Sequence, residues 1–475
     1  MLTYQDFETA TDLPGFIAKA ITEHIQSEEY KTAVDADEYD HQRNVTVNNY
    51  TQFVAEHAGG HAMSANNRIS SNYFHRLNVQ RCTYLLGNGV SFTDHIREET
   101  DENGEVTFID ETKESLGKRF DRDFYQLAYY ALIHRECFGF WNVDRLFVFP
   151  LTQFKPLYDE DTGALRAGIR FWRIADNKPM TAVLFAEDGY TKYRSRSTTG
   201  FDFVEVEPKR AYITKGVRTD AEGFTVTGFE NYSTLPVIRM KGSELYQSTL
   251  VGMRAYIDAH DLIFSGFANT LQDCAEIFWI IENCGGMTDD DLREFLRKLN
   301  RDHIATADTK GMGVESSSLK PYVQEVPFES NMACLERIDK EIYEGFGALD
   351  VTTISAGVKT ATEIDAAYQP LDEAADDFET QCTDFLQQLL ALLGIEDNPK
   401  YKRNRICNQL EQTQMVAMVA QYLDDRAVLE HLPWITVDEV ADIMARKDLE
   451  DAERAEDETP EEKPEKEPEE VPEAV

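Results

Sequence analysis

The residues best suited to chemistry are few, and none completes a catalytic set. Gly357-Val358-Lys359-Thr360 ends like a phosphate-binding loop. Such a loop needs glycine directly before its lysine and again upstream, so that backbone amides can close on phosphate. Val358 stands at the first of these positions and no upstream glycine fits. His57 and His61 are spaced like two ligands on one helical face, yet no third ligand accompanies them, so a packing or surface role is expected. Asp159-Glu160-Asp161-Thr162-Gly163 starts like a calcium loop, with glycine one place early and no closing glutamate; a hairpin turn is the plainer reading. Carboxylates are too abundant for any pair to stand out for acid–base work. No Gly-x-Ser-x-Gly elbow occurs and no cysteine lies in a nucleophile motif. No catalytic residues, no metal site and no cofactor are expected.

Composition bounds what could position such residues. A chain of 475 residues, 42 % of them hydrophobic, can bury a sizeable core in about two or three domains. It has 87 acidic against 47 basic side chains, a formal charge of −40. That field repels phosphate backbones and anionic lipid, which argues against ordinary nucleic-acid or membrane binding. The seven cysteines are scattered, with no C-x-x-C pair, and read as reduced thiols in a cytoplasmic setting. Asp6, Glu8 and Asp12 speak against a signal peptide. No run approaches the roughly 18 apolar residues of a membrane span.

Periodicity supplies the elements. Residues 1–62 read as an arm with one short amphipathic helix at 13–25. A helix at 66–86 is stopped by Gly87, a hairpin over 91–108 turns at Asn103-Gly104, and a helix covers 124–134. Strands are expected at 137–141, 145–149, 165–172, 180–185, 190–193, 201–206, 211–214 and 223–229, so 63–242 is an α/β domain with a largely antiparallel sheet. The helix at 243–274 carries an apolar stripe, Ala259, Ile263, Phe267 and Leu271. Its other face bears Asp258, Asp261, Ser265, Asn269 and Asp273, and is expected to meet water. Residues 275–328 form a small insertion of strand, helix and extended runs. Its helix begins at Thr288 with Asp289, Asp290 and Asp291 and closes on Arg297, Lys298 and Arg301, matching the helix dipole.

A helix over 331–343, with Leu335, Ile338 and Ile342 as its stripe, is stopped by Gly345 and Gly347. After a loop at 348–360 comes the longest helix, 361–394, with Ile364, Leu371, Phe378, Phe385 and Leu392 seven apart and Tyr368, Ala375, Cys382 and Leu389 between them. It spans roughly 50 Å at about 1.5 Å per residue, and Pro370 should kink it. From periodicity alone such a seam reads first as a long core helix of a large bundle; the other reading is that Ile364, Tyr368, Leu371, Phe378, Phe385 and Leu389 pack in an oligomer that a single subunit cannot cover. Residues 395–447 form a helical cap, helical at 408–431, with Thr436 to Glu439 fitting a capping box. Beyond residue 447 lie 14 acidic and 3 basic residues with prolines four apart, a disordered acidic tail.

Four blocks, in order and correctly spaced, resemble the portal proteins of tailed bacteriophages, above all those of long-tailed phages and prophages of Gram-positive bacteria. They are 66–92, ending Tyr84-Leu85-Leu86-Gly87-Asn88-Gly89-Val90-Ser91-Phe92; 130–150; 236–282, with Ile257-Asp258-Ala259 and Asp273; and 335–394. Two departures stand out. No proline follows Gly347-Ala348-Leu349-Asp350, and the family's serine–glycine in the next loop is here Ser355-Ala356-Gly357.

The resemblance implies an α+β portal subunit: arm 1–62, wing 63–242, first stem helix 243–274, clip 275–328, second stem helix 329–347, channel loop 348–360, long kinked helix 361–394, crown 395–447, tail 448–475. It implies a homo-oligomeric ring of about twelve copies at the capsid vertex of the virion, assembled in the host cytoplasm. Its partners would be the terminase large subunit, major capsid and scaffolding proteins and a neck adaptor, with double-stranded DNA passing through without sequence specificity and no membrane contact. The channel loop residues Ser355, Ala356, Gly357, Val358, Lys359 and Thr360 are the candidates for DNA contact. Asp258, Asp261 and Asp273 are the expected channel-facing carboxylates, since a conduit for polyanion works best with few cationic contacts. Lys359, the sole cation between Glu344 and Glu379, pairs more naturally with Glu363 than with phosphate. The rival readings are another acidic ring, scaffold or adaptor protein of a phage assembly, and a metal-dependent nuclease using carboxylates.

Overall fold

The computed structural model describes residues 2–50, 65–100, 106–219, 223–274, 278–282, 318–322, 328–351 and 361–405, with isolated positions between 290 and 293 and between 416 and 447. The chain divides into two compact units, one of Met1–Asp37, Arg76–Val251 and Phe346–Val475, the other of Glu38–His75 and Gly252–Gly345.

In the first unit a five-stranded antiparallel sheet runs in the order Phe203–Arg210, Gly189–Ser195, Thr181–Ala186, Leu165–Trp172, Phe154–Tyr158. The amphipathic helix expected within residues 1–62 packs on this layer. Helix Leu13–Gln26 is capped by Asp12 and carries proline in its first turn. It lays Phe16, Ile17, Ala20 and Ile21 on Leu157, Ile169, Phe171 and Leu184. Both edges of the sheet hold a proline, Pro156 and Pro208, where a missing amide costs least. Asp159 closes the turn between the last two strands, accepting from the Thr162 amide at 2.8 Å and the Asp161 amide at 3.1 Å. The run that looked like a calcium loop is this turn.

A second sheet, Val237–Lys241, Glu136–Asn142 and Arg145–Pro150, packs against helix Phe120–His134 and the longest helix, Ala361–Leu393. Phe378, Cys382, Phe385, Leu386 and Leu389 enter a core with Leu127, Ala128, Trp141 and Met240. The Phe385 ring stacks on Phe124 at 5.8 Å, and a Cβ on Gly139 would lie 2.7 Å from it. Tyr368, Leu371 and Ala375 pack instead with Tyr84 and Leu349. The heptad seam is therefore consumed inside the subunit, which corrects its assignment to oligomer packing. Ile364 and Leu392, at the two ends, are only partly buried.

The helix ends as a Schellman turn: Gly394 has φ 72°, and the Ile395 amide donates to the Leu390 carbonyl at 3.0 Å. The chain then returns along it. Arg403 binds Asp372, Asp376 and Glu379, and Arg405 binds Asp365, Asp372 and the Tyr84 hydroxyl.

Strand positions agree with the sequence reading to within a few residues, apart from three strands it lacks: Phe154–Tyr158, Val237–Lys241 and Pro399–Tyr401, the last paired with Val90–Phe92. Helices begin later than expected at Tyr73 and Thr249. The helix expected from Thr288, the 408–431 helix, the capping box at Thr436 and the acidic tail lie outside the described residues, as do His57 and His61.

Burial sets one pH response. His24 is 1 % exposed, and its Nε2–H donates to the Leu151 carbonyl at 2.9 Å while Nδ1 has no partner. Desolvation, aided by nearby Lys155, lowers its pKa from 6.5 to about 4. The unfolded chain then takes up the proton first, so stability falls as pH drops below about 6.5 and levels off near 4. Urea unfolding at pH 7 and pH 4 should show the wild type losing about 3 kcal/mol more than His24→Gln.

Candidate functional site

In the second unit, helix Thr249–Cys274 contributes residues from Gly252 onward, and helix Phe328–Phe346 contributes residues to Gly345. A strand pair, Phe278–Glu282 with Ser318–Tyr322, belongs to it as well. Asp258, Asp261, Ser265 and Asn269 recur every three or four residues on the first helix, so they share one face. That face is covered by residues 39–47 and by the irregular stretch 65–71 of the same unit.

The contacts form a ladder. Tyr39 and Thr46 donate their hydroxyls to Asp258, Thr46 at 2.7 Å. Asn44 Nδ2 donates to Asp261 at 2.9 Å, and the Ser71 amide donates to the same oxygen at 3.1 Å. The Ile69 amide donates to Ser265 Oγ at 3.0 Å, and the Asn67 amide and side chain donate to Asn269 at 2.6 and 2.9 Å. Residues 65–71 join no sheet among the described residues, so their backbone donors need side-chain acceptors, and the helix face supplies them in register.

One imidazole joins the two helices. His260 Nδ1 lies 2.9 Å from Asp261, and Nε2 lies 3.4 Å from Asp339. Asp339 also accepts from the Tyr73 hydroxyl at 2.7 Å. Burial, then the hydrogen bond to Asp258, pushes the Tyr39 phenol up to about 12, so it remains a donor at every ordinary pH.

The placement of the expected site residues is thus changed. Asp261 is 1 % exposed and Asp258 is half-buried, because both serve as acceptors within their own unit. The expectation that this face meets water does not hold for them. Nothing is described of the Asp273 side chain, and Ser355, Ala356, Gly357, Val358, Lys359 and Thr360 lie outside the described residues. The root of that loop is described. Gln80 both donates to the Leu349 carbonyl at 2.9 Å and accepts from its amide at 3.1 Å. Arg81 donates to the Phe346 carbonyl, and Gly347, at φ 58°, leaves no more than 3.0 Å between a would-be Cβ and the Pro370 carbonyl.

The ladder's signal in the sequence is its residue types. Aspartate, serine and asparagine are poor formers of a helix interior, and a solvated face ordinarily carries glutamate, lysine or arginine. Four short polar residues in helical register mean fixed acceptors. Among the described residues no group of histidine, cysteine or carboxylate side chains could hold a metal, and no helix is long and apolar enough to cross a membrane. Cys82, Cys137 and Cys382 are buried free thiols, pushed up by desolvation.

Comparison with known proteins places these features in context. A family model described as "Phage portal protein, SPP1 Gp6-like" matches residues 21–465. The portal protein of Clostridium phage phiCD119 is 28 % identical over 218 residues, 44 % of this chain and 48 % of that protein. The portal protein of Bacillus phage SPP1 is 25 % identical over 324 residues, 66 % of this chain and 59 % of that protein. The matched regions thus span about half of these relatives' own length. Among solved structures, a chain from the virion of a native gene transfer agent particle has a TM-score of 0.43 at 11 % identity, covering 75 % of this chain and 88 % of that one. A chain from the neck of the native particle, computed with C12 symmetry, has a TM-score of 0.40 at 11 % identity, with coverage of 77 % and 90 %.

The ladder predicts a stability difference. Asp261→Ala leaves the Asn44 and Ser71 donors without an acceptor, and in chemical denaturation should cost about 2–4 kcal/mol. Asp258→Ala, at a half-buried site, should cost about 1 kcal/mol.

Proposed function

Since the chain belongs to the SPP1 Gp6-like family of phage portal proteins, we propose that it is the structural, non-catalytic subunit of a closed homo-oligomeric ring of about twelve copies. The ring sits at one vertex of the capsid. The terminase motor docks on it during packaging, neck proteins replace the motor, and DNA leaves through the same channel. Capsid and scaffolding proteins surround it, and assembly takes place in the host cytoplasm. The observation that carries this reading is the span of the family match, which takes in both units and nearly the whole chain.

The charge supports it. A wall that lets duplex DNA slide must avoid cation–phosphate contacts, each of which adds salt-dependent affinity; a chain at −40 meets that need. With Asp258 and Asp261 engaged in the ladder, the negative wall falls to carboxylates that remain exposed, such as Glu336 and Glu344. Residues 355–360 are the segment we assign to the channel. The bonds from Gln80 and Arg81 hold Leu349 and Phe346, which precede that segment in the chain.

Two measurements test the assignment. Negative-stain class averages of the purified chain should show rings with a central hole, and a population of monomers and dimers alone contradicts the ring. Removing residues 355–359 should abolish DNA packaging while rings still form; unassembled subunits from that variant contradict the loop assignment.

A further inference from the structure

Strand Val237–Lys241 is an edge of the second sheet, pairing only with Glu136–Asn142 among the described residues. The Trp141 amide donates to the Pro236 carbonyl and the Gly242 amide to the Arg135 carbonyl, both at 2.9 Å. The even residues from 236 to 242 therefore turn their backbone groups to that neighbour, and Val237, Arg239 and Lys241 turn theirs the other way. These three line a groove of about 610 Å³. Val237 is 3 % exposed, so its outward amide and carbonyl have little water and, among the described residues, no strand to pair with. Unlike the edges of the five-stranded sheet, this edge holds no proline. The opposite wall is the long helix from Gln381 to Leu392, about 16 Å at about 1.5 Å per residue, which matches the roughly 14 Å of a five-residue strand.

A segment of the same chain has the complementary pattern. Near its end the prolines stand at 460, 464, 468 and 472, all even positions. In an extended strand the odd residues then keep every amide on one edge, and their side chains, among them Glu465, Glu467, Glu469 and Val471, share one face. In the groove, Arg239 and Lys241 form no ion pair among the described residues, while Arg166 is paired with Glu187 at 2.8 Å.

We propose that residues 467–471 add to Val237–Lys241 of their own chain as an antiparallel fourth strand. Glu467 then stands opposite Lys241, Glu469 opposite Arg239 and Val471 opposite Val237, two charge pairs and one apolar pair across the strands. The even residues share the face of Ile238 and Met240, which packs on the long helix, and Lys466 comes to the wall that carries Asp384. The twenty residues from Lys447 to Glu467 reach up to about 70 Å. The family match stops at residue 465, so the added strand lies beyond the part shared with the family model, and the proposal does not depend on the ring reading.

The test is hydrogen exchange of the peptide covering 236–242 in the full-length chain. The Val237, Arg239 and Lys241 amides should exchange at least about tenfold more slowly than in a chain ended at Thr459. Two proline substitutions separate strand pairing from charge attraction, since each removes one carboxylate. Glu469→Pro takes away an amide that faces the edge and should lose the protection. Glu470→Pro takes away one that faces outward and should keep it. Equal loss in both variants, or exchange that is indifferent to the tail, overturns the proposal. Protection that disappears on dilution assigns the strand to another copy and overturns it as well.

Discussion

A buried carboxylate must be hydrogen-bonded, and Asp261 meets that constraint with donors from three separate stretches of chain. Asn44, Ser71 and His260 all converge on it. Its oxygens serve as acceptors, so each donor is held in one place, and removing the side chain strands donors that water cannot reach. The consequence reaches well beyond one residue. Because the ladder occupies the polar side of helix Thr249–Cys274, that helix cannot present the same side to a solvent channel. Of its apolar residues, Leu250, Ile257 and Phe267 are buried while Tyr256, Phe264 and Leu271 stay exposed.

The longest helix follows the opposite logic. Its seam is strongly apolar, and the first unit buries it completely between Tyr368 and Leu390. What it shows outside is acidic, and part of that acid is neutralised by Arg403 and Arg405 as the chain doubles back. Apolar area alone therefore does not locate an assembly surface. The area that counts is what remains after each subunit has satisfied itself.

Much of the fold was legible in the residues, for physical reasons that differ by element. The heptad register from Tyr368 to Leu389 foretold a buried seam, but not that strand Glu136–Asn142 and helix Phe120–His134 would cover it; cover is a tertiary fact that periodicity cannot express. Strand Phe154–Tyr158 was hidden because Lys155 and Pro156 contradict a strand, although proline is harmless on the edge it occupies. In the sequence Asp258 and Asp261 look wet, because carboxylates usually are. Their partners, Tyr39, Asn44, Thr46 and Ser71, lie some two hundred residues away in the sequence. Burial and hydrogen bonding over that separation leave only the faint mark of short polar residues in a helix interior.

The most direct trial of this account is the density around Asp261 in a side-chain-resolution electron cryo-microscopy map of the assembled particle. The account requires its carboxylate to lie within hydrogen-bond distance of Asn44 and the Ser71 amide of the same copy. A map in which Asp261 lines an open bore, out of reach of Asn44 and Ser71, contradicts it.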